Sequence, residues 1–529
     1  MREVFFNQSR LNISLMPDKE NKSFLSGLLV LLAASLLLRL SFLFSTERTL
    51  DMDECVVGIM IKRVAFQGDR FFHLSGSDYG GGHALIAYTL APFAKLFGTG
   101  DVLTQSMTVL SSVILVAVVA IIARRAAGPC VGLMTGLIFS FSPSFFKASF
   151  QVNAYIETML LAATALLFFL KTLDAHTKNS FIKSLYAVGF GFFSGAALWS
   201  FEFAAVILFP VFVSALLRIR NIGFKNICFS ALAFFSGWSV QINYLFHEKP
   251  SSSLFGRWIS FNSASDYLHA LQTLAFAKFP DFFSPYIYHY PPHRPSYSLF
   301  LTILFAVSFI FILCAAFSSL TTSKKKEKKV ILIVCVTVAY YFAALTLFKN
   351  AMSFPRYFLP LSPVIAFVFA LAVFFLLNTK TKSRVFGIIL ISLILSLQIA
   401  ALFDMSRCRM NSCQNRSRIN KTIEFLERRG YDGIYTDFTT KWQIAFYSDE
   451  RIIGSDFAFD NMPRHIPYEL KIAEMDNVPF VFPSDWIVLE EIENGLKRGN
   501  VKHLKTEIEG LTLIYDIDKP IKPFDWLFF

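Results

Sequence analysis

Eleven stretches of this chain are apolar over roughly the ~20 residues that an α-helix needs to cross a bilayer. They lie near residues 24–45, 102–123, 129–149, 153–170, 184–201, 203–217, 227–246, 298–320, 330–348, 357–378 and 385–404. Composition leads the same way. Hydrophobic residues make up 54% of the 529, Phe alone occurs 61 times, and mean hydropathy is +0.50. Only 17% are charged, against roughly 25% in a typical soluble domain. Such a chain cannot cover itself with polar surface, which excludes a wholly soluble protein and also a disordered one. The expected architecture is a polytopic α-helical membrane protein of about 11 transmembrane helices.

The net charge of +12 invites a nucleic-acid reading, but the basic residues fall mostly in short loops between apolar runs. That is the positive-inside pattern. The first run follows Arg2, Arg10, Lys19 and Lys22 and is longer than a signal-peptide core. It is expected to be a permanent helix with a cytoplasmic segment 1–23 before it. The cytoplasmic loops then hold Arg124–Arg125, Lys171 to Lys183, Arg218 with Arg220 and Lys225, five lysines within 324–329, and Lys380 with Lys382 and Arg384. The outer turns near 150 and 202 are nearly uncharged. A transmembrane domain over 24–404 carries outer loops 46–101 and 247–297, and the tail 405–529 also falls outside.

The tail has the composition of a soluble domain. It reads as a helix over 418–429, a strand at 434–436, a helix at 442–447, a strand at 451–453 and a helix over 485–496. A hairpin over 506–517 turns at Gly510. This is a small α/β domain. Of seven cysteines, Cys130, Cys228, Cys314 and Cys335 read as small apolar side chains. Cys408 and Cys413 are candidates for a disulfide if their side is oxidising. No CxxC pair and no repeat of fixed period occurs.

The first outer loop is the chemically unusual segment. Thr49-Leu50-Asp51-Met52-Asp53-Glu54 puts three carboxylates within four residues, directly after the first span. An amphipathic stretch follows, with Val56, Val57, Ile59, Met60, Ile61 and Val64 interleaved with Lys62 and Arg63, as expected of a helix lying in the membrane interface. Then come Ser77-Asp78-Tyr79-Gly80-Gly81-Gly82-His83 and a second amphipathic stretch, Ala84 to Phe97. One carboxylate suffices to cap a helix. Three together repel unless something uses them. The glycine run suits a tight turn or close backbone approach better than a phosphate cradle.

These features, in this order, resemble the GT-C glycosyltransferases, and among them the family 39-like group of protein O-mannosyltransferases and lipid A aminoarabinose transferases. The residues that carry the resemblance are Asp53-Glu54, Ala91-Pro92-Phe93-Ala94-Lys95-Leu96-Phe97-Gly98, Ala123-Arg124-Arg125 with Gly128, Phe141-Ser142-Pro143, Gly195 to Pro210, Gly237 to Asn243, and Phe354-Pro355-Arg356-Tyr357-Phe358-Leu359-Pro360. The likeness runs over about 1–405. It implies a polyprenyl-phosphate-linked sugar donor used on the extracytoplasmic face, an inverting transfer to an acceptor hydroxyl, and a bacterial inner membrane as the setting. It implies Asp53 as general base, with Glu54 orienting it or binding sugar hydroxyls.

The departing phosphate needs positive charge. Arg356 at the outer end of a late span, Lys349 one short loop away and Arg39 toward the outer end of the first span are the candidates. The competing roles are interfacial anchoring for Arg356 and Lys349 and snorkelling for Arg39. Asp51, Asp78, His83, Glu157, Glu202 and Tyr357 are candidate substrate contacts. Intramembrane carboxylates such as Glu157 and Glu202 should face a cavity or a cation. Asp51-Met52-Asp53 is formally a DxD, so a divalent metal there stays open, although no cofactor is expected to be required. The loop with Tyr286, Tyr288, His289, Tyr290, His293 and Tyr297 could stack on sugars or form an interface belt. The implied partners are the polyprenyl-phosphate sugar, a lipid, glycan or protein acceptor, and the bilayer, with no nucleic acid. A transporter or flippase of lipid-linked sugars is the alternative, but it would spread polar residues through mid-membrane and usually show paired repeats.

Overall fold

The computed structural model describes residues 18–44, 49–75, 81–173, 180–247, 264–284, 295–318, 337–346, 355–378, 381–456, 465–486 and 488–519. The helices, in chain order, begin with α1 (Asp18–Phe44), α2 (Met52–Phe66), α3 (Gly81–Phe97), α4 (Asp101–Ala127), α5 (Pro129–Ser140), α6 (Pro143–Ala148) and α7 (Tyr155–Thr172). Next come α8 (Ser180–Ser200), α9 (Ala204–Leu217), α10 (Ile219–Ile222), α11 (Phe224–Gly237), α12 (Ser239–His247), α13 (Ala264–Thr273), α14 (Phe279–Phe282) and α15 (Ser296–Ser318). The set closes with α16 (Thr337–Thr346), α17 (Ser362–Leu377), α18 (Thr381–Arg428), α19 (Phe438–Tyr447), α20 (Ile466–Ala473) and α21 (Val488–Arg498). Strands are β1 (Gly433–Thr436), β2 (Ile453–Ser455), β3 (Phe480–Pro483), β4 (Leu504–Ile508) and β5 (Leu511–Tyr515).

Among the described residues, seven helices are long and apolar enough to cross a membrane, and three apolar helices are shorter. The eleven runs read from sequence therefore do not all become full-length helices. The run 129–149 breaks into α5 and α6 at Ser142-Pro143, because proline lacks the N–H that a continuing helix needs. The run 227–246 breaks at Trp238 between α11 and α12.

The chain clusters into two compact units. One comprises 1–41 with 108–406, the other 42–107 with 407–529. In the first, the core is built from α5, α7, α14, α15 and α17. Its centre is aromatic: Phe279 meets Phe305, Phe342 and Phe358 edge-on at 5.2–5.5 Å. Such pairs add to the apolar burial. A second contact in this unit depends on glycine. A Cβ on Gly191 or Gly195 would collide with the carbonyls of Ser230 and Phe234, and one on Gly237 with that of Phe192. Helices α8 and α11 therefore approach backbone to backbone, as small residues allow in membranes.

The second unit holds the first outer loop and the tail. Its sheet has the order β2-β1-β3-β5-β4. β1 pairs parallel with β2 and β3, with Ile434 opposite Gly454 and Tyr435 opposite Phe480. β3–β5 and β4–β5 are antiparallel. The expected hairpin is present, with Glu509 (φ 48°) and Gly510 (φ 84°) at its tip, the left-handed pair that a two-residue turn requires. The expected helix at 418–429 is the end of the long α18. β3 and α20 are additional elements. The candidate disulfide pair Cys408 and Cys413 has its side chains outside the described residues. The loop 46–101 and the tail belong to one unit.

Candidate active site

Helix α2 starts at the acidic cluster, and the start explains two of the three carboxylates. Asp51 is the N-cap: its carboxylate accepts the Glu54 N–H at 3.0 Å, and the Asp51 N–H donates to Glu54 Oε2 at 2.9 Å. This reciprocal capping box satisfies two otherwise orphaned donors. Glu54 is fully buried, and its other oxygen accepts from Gln105 Nε2 at 3.3 Å. Asp53, half-buried in the first helical turn, belongs to neither bond of the box. The capping alternative is therefore correct for Asp51, with Glu54 as its partner, and does not account for Asp53.

The tail reaches this helix start directly. Leu50, fully buried, donates its N–H to Tyr447 Oη at 2.8 Å, and its carbonyl accepts from Gln443 Nε2 at 2.9 Å. Both side chains belong to α19. Burial pushes the Tyr447 phenol up, so it stays a neutral hydroxyl. Arg416 lies 3.2 Å over the Tyr447 ring and 3.5 Å from Asp101. Further along α2, Gly58 faces the Phe446 ring, and a Cβ there would collide with it.

The far end of α2 is clamped by charge. Lys62 reaches Asp449 at 2.7 Å, and Arg63 reaches Glu450 at 2.7 Å, His465 Nε2 at 2.9 Å and Tyr468 at 3.2 Å. Burial raises the Glu450 carboxyl, but hydrogen bonds from Tyr468 and Arg63 outweigh it and hold the group below the ordinary carboxylate range. Burial, then the facing Arg63, hold the His465 imidazole down to about 4.

His83 is buried in the first turn of α3, and Gly81 and Gly82 are part of that helix rather than of the tight turn expected for the glycine run. Asp78 and Lys349 lie outside the described residues, as do Tyr286, Tyr288, His289, Tyr290 and His293 of the aromatic loop. Tyr297 donates to Asp404 at 2.7 Å. Among the described residues no group of three or more His, Cys, Asp and Glu is placed to hold a metal ion.

The remaining candidates belong to the other unit. Arg39 corrects both expectations made for it, phosphate contact and snorkelling. Its side chain is fully buried, bonded to Ser35 Oγ at 2.6 Å and the Ser140 carbonyl at 3.1 Å, with the Phe145 and Phe146 rings at 5.4 and 4.9 Å. It ties α1 to α5. Glu157, 2% exposed, accepts from Thr108 Oγ1 at 2.9 Å, and its Oε2 has no hydrogen-bond partner among the described residues. Glu202 is half-buried in the turn between α8 and α9. Arg356, half-buried, stands in the 3₁₀ turn Pro355–Leu361 ahead of α17, 5.5 Å from the Tyr357 ring. Tyr357 is corrected from a substrate contact to a core residue. It is buried among Tyr155 and Phe203, and its carbonyl accepts from Tyr341 at 2.7 Å.

Gln105, Gln443 and Tyr447 were not legible as site residues. Their partners lie about 50 and 390 positions away in sequence, so no local pattern marks them.

Residues 84–240 match the family described as dolichyl-phosphate-mannose-protein mannosyltransferase. No curated protein matches the chain in sequence. Among solved structures, ArnT from Cupriavidus metallidurans bound to undecaprenyl phosphate is similar with a TM-score of 0.55 at 13% identity, over 96% of this chain and 100% of that one. The Archaeoglobus fulgidus oligosaccharyltransferase in its apo form is similar with a TM-score of 0.52 at 13% identity, over 89% of this chain and 71% of that one. The same organism's AglB, in complex with an inhibitory peptide and a dolichol-phosphate, matches at 0.52 and 12%, over 94% and 75%. The chain has the GT-C fold of membrane glycosyltransferases, and its resemblance is to the family 39-like superfamily.

Proposed function

We propose that the protein transfers a sugar from a polyprenyl-phosphate donor to an acceptor hydroxyl on the extracytoplasmic face, with inversion. Asp53 takes the proton of the acceptor hydroxyl as its oxygen bonds to the anomeric carbon. The bond from that carbon to the phosphate oxygen breaks, and its electron pair leaves with the lipid phosphate. A sugar or side-chain hydroxyl is a poor nucleophile, and a carboxylate within hydrogen-bond reach makes it a usable one. The bilayer and the lipid donor are the partners of this reading. The similar ArnT structure has undecaprenyl phosphate bound and the AglB structure a dolichol-phosphate, which supports a lipid phosphate here.

The observation that carries the reading is the division of labour at the start of α2. Asp51 and Glu54 close the capping box, and Asp53 takes part in neither of its bonds. Glu54 then orients Asp53 by seating the helix turn that holds it. Arg356 is assigned to the leaving phosphate, since a bidentate guanidinium suits that anion. The reading routes no step through a metal at Asp51-Met52-Asp53.

Purified protein in nanodiscs, given a polyprenyl-phosphate sugar labelled in the phosphate, should release free polyprenyl phosphate when an acceptor hydroxyl is present. Movement of the intact labelled lipid between leaflets without release would replace this reading with the transporter one.

A further inference from the structure

We propose that helix α19 of the tail is part of the catalytic apparatus: Tyr447 and Gln443 are positioning residues that hold the chain at Leu50 and, through it, the turn that carries Asp53. This rests on the reading of Asp53 as base.

Leu50 directly precedes the cap. Its N–H is met by Tyr447 and its carbonyl by Gln443, both side chains of one helix, with the Cys55 thiol 3.8 Å from the same carbonyl. Leu50 is fully buried and Gln443 is 7% exposed, so water does not stand in for either partner. A buried backbone group left without a partner is costly, and the chain would move to recover one. Asp53 is three residues on, within the first turn of α2, so a shift at Leu50 moves it directly.

The same helix fixes the rest of α2. The Phe446 ring occupies the space that Gly58 leaves by lacking a Cβ. The residues just after α19, Asp449 and Glu450, take Lys62 and Arg63. α2 is therefore held at its start, middle and end by one short segment, 443–450. Positions of reacting groups matter at this scale: misplacement by about 1 Å can cost on the order of 10²-fold in rate. A tail that only stabilised the fold would not need both polar groups of the residue next to the acidic cluster.

The test is a double-mutant cycle on the full chain in nanodiscs. Tyr447→Phe keeps the ring under Arg416 and removes only the hydroxyl, and Gln443→Leu removes the amide. Each should lower kcat about tenfold with the donor KM within about twofold. Each also leaves a buried backbone group of Leu50 without that partner, so the unfolding midpoint of the loop-and-tail unit should fall by a few degrees, and kcat is compared well below it. In an Asp53→Asn background the same changes should cause no further loss, because the group they position no longer works. Undiminished kcat in both single variants, beside an impaired Asp53→Asn, overturns the positioning role and leaves the base reading standing. Losses that multiply in the double variants, or kcat losses that vanish when the assay is run further below the unfolding midpoint, also overturn it, since they describe general stability. Normal transfer by Asp53→Asn removes the base reading itself.

Discussion

Replacing Glu54 by glutamine removes the charge of a fully buried side chain and keeps its shape. In the wild type one oxygen accepts the Asp51 N–H and the other the Gln105 amide. Glutamine retains one acceptor for the Asp51 N–H, and a rotation of the Gln105 amide presents its oxygen to the new NH₂. What is lost is charge assistance, about 1 kcal/mol, and a first-turn carboxylate at the helix N-terminus, about 0.3–1 kcal/mol. The sum, near 1.5 kcal/mol, corresponds to about a tenfold shift in an equilibrium. Alanine is different. It leaves the Asp51 N–H and the Gln105 amide without acceptors, at about 1–3 kcal/mol each, and opens a cavity. Thermal unfolding, hydrogen exchange over residues 50–56 and sugar transfer should be measured on both variants. Glu54→Gln should lose no more than about tenfold in transfer, with slightly faster exchange at the helix start. Glu54→Ala should lose most activity together with protection of that segment. If Glu54→Gln abolished transfer while exchange and stability stayed at wild-type values, the charge would be acting on the substrate, and its assignment to the helix start would be wrong.

Gly195→Leu should block the close approach of α8 and α11 and destabilise the membrane unit by several kcal/mol, about the upper end of overpacking costs. Phe192→Leu on the exposed face should change the unfolding temperature little. Stability of the loop-and-tail unit should fall as pH drops from about 6.5 toward 4. The folded His465 imidazole titrates at about 4, below its ordinary value of about 6.5, so the unfolded chain takes up the proton first and acid favours unfolding. Glu450, held below the ordinary carboxylate range, adds a loss of the same sign at the acid end, and His465→Gln should flatten the upper part of the decline in a pH series of melting curves. Arg356→Ala should fold and insert, but turn over about 10²–10³-fold more slowly if it stabilises the leaving phosphate. Near wild-type turnover would make it an interfacial anchor.

Local pattern made the membrane class, the existence of helices α2 and α3 and the tail hairpin legible, although α2 is buried on all its faces over residues 54–61 rather than amphipathic. Asp51 with Glu54 three residues later is itself a capping signature, so the start of α2 could be read before any coordinate. Long-range partners could not. Nothing around Leu50 announces a phenol and an amide from the far end of the chain, and nothing around Arg39 announces Ser140 a hundred residues on. β3 was missed because Phe480-Val481-Phe482 is a short apolar run without alternation, its residues all buried. Such a run cannot be told from other buried segments by periodicity. The run 129–149 read as one continuous span for a related reason: hydropathy sums over a window and does not register the N–H that Pro143 lacks.

The central claim concerns Asp53, and one substitution tests it most directly. Asn caps a helix about as well as Asp but cannot take a proton. Transfer of labelled sugar should be measured for Asp53→Asn and Asp51→Asn side by side, with melting curves to establish that both are folded. Asp53→Asn should keep its stability and transfer roughly 10²-fold more slowly or worse. Asp51→Asn, which still caps, should stay near the wild-type rate. An Asp53→Asn protein that transfers sugar at the wild-type rate would contradict the account.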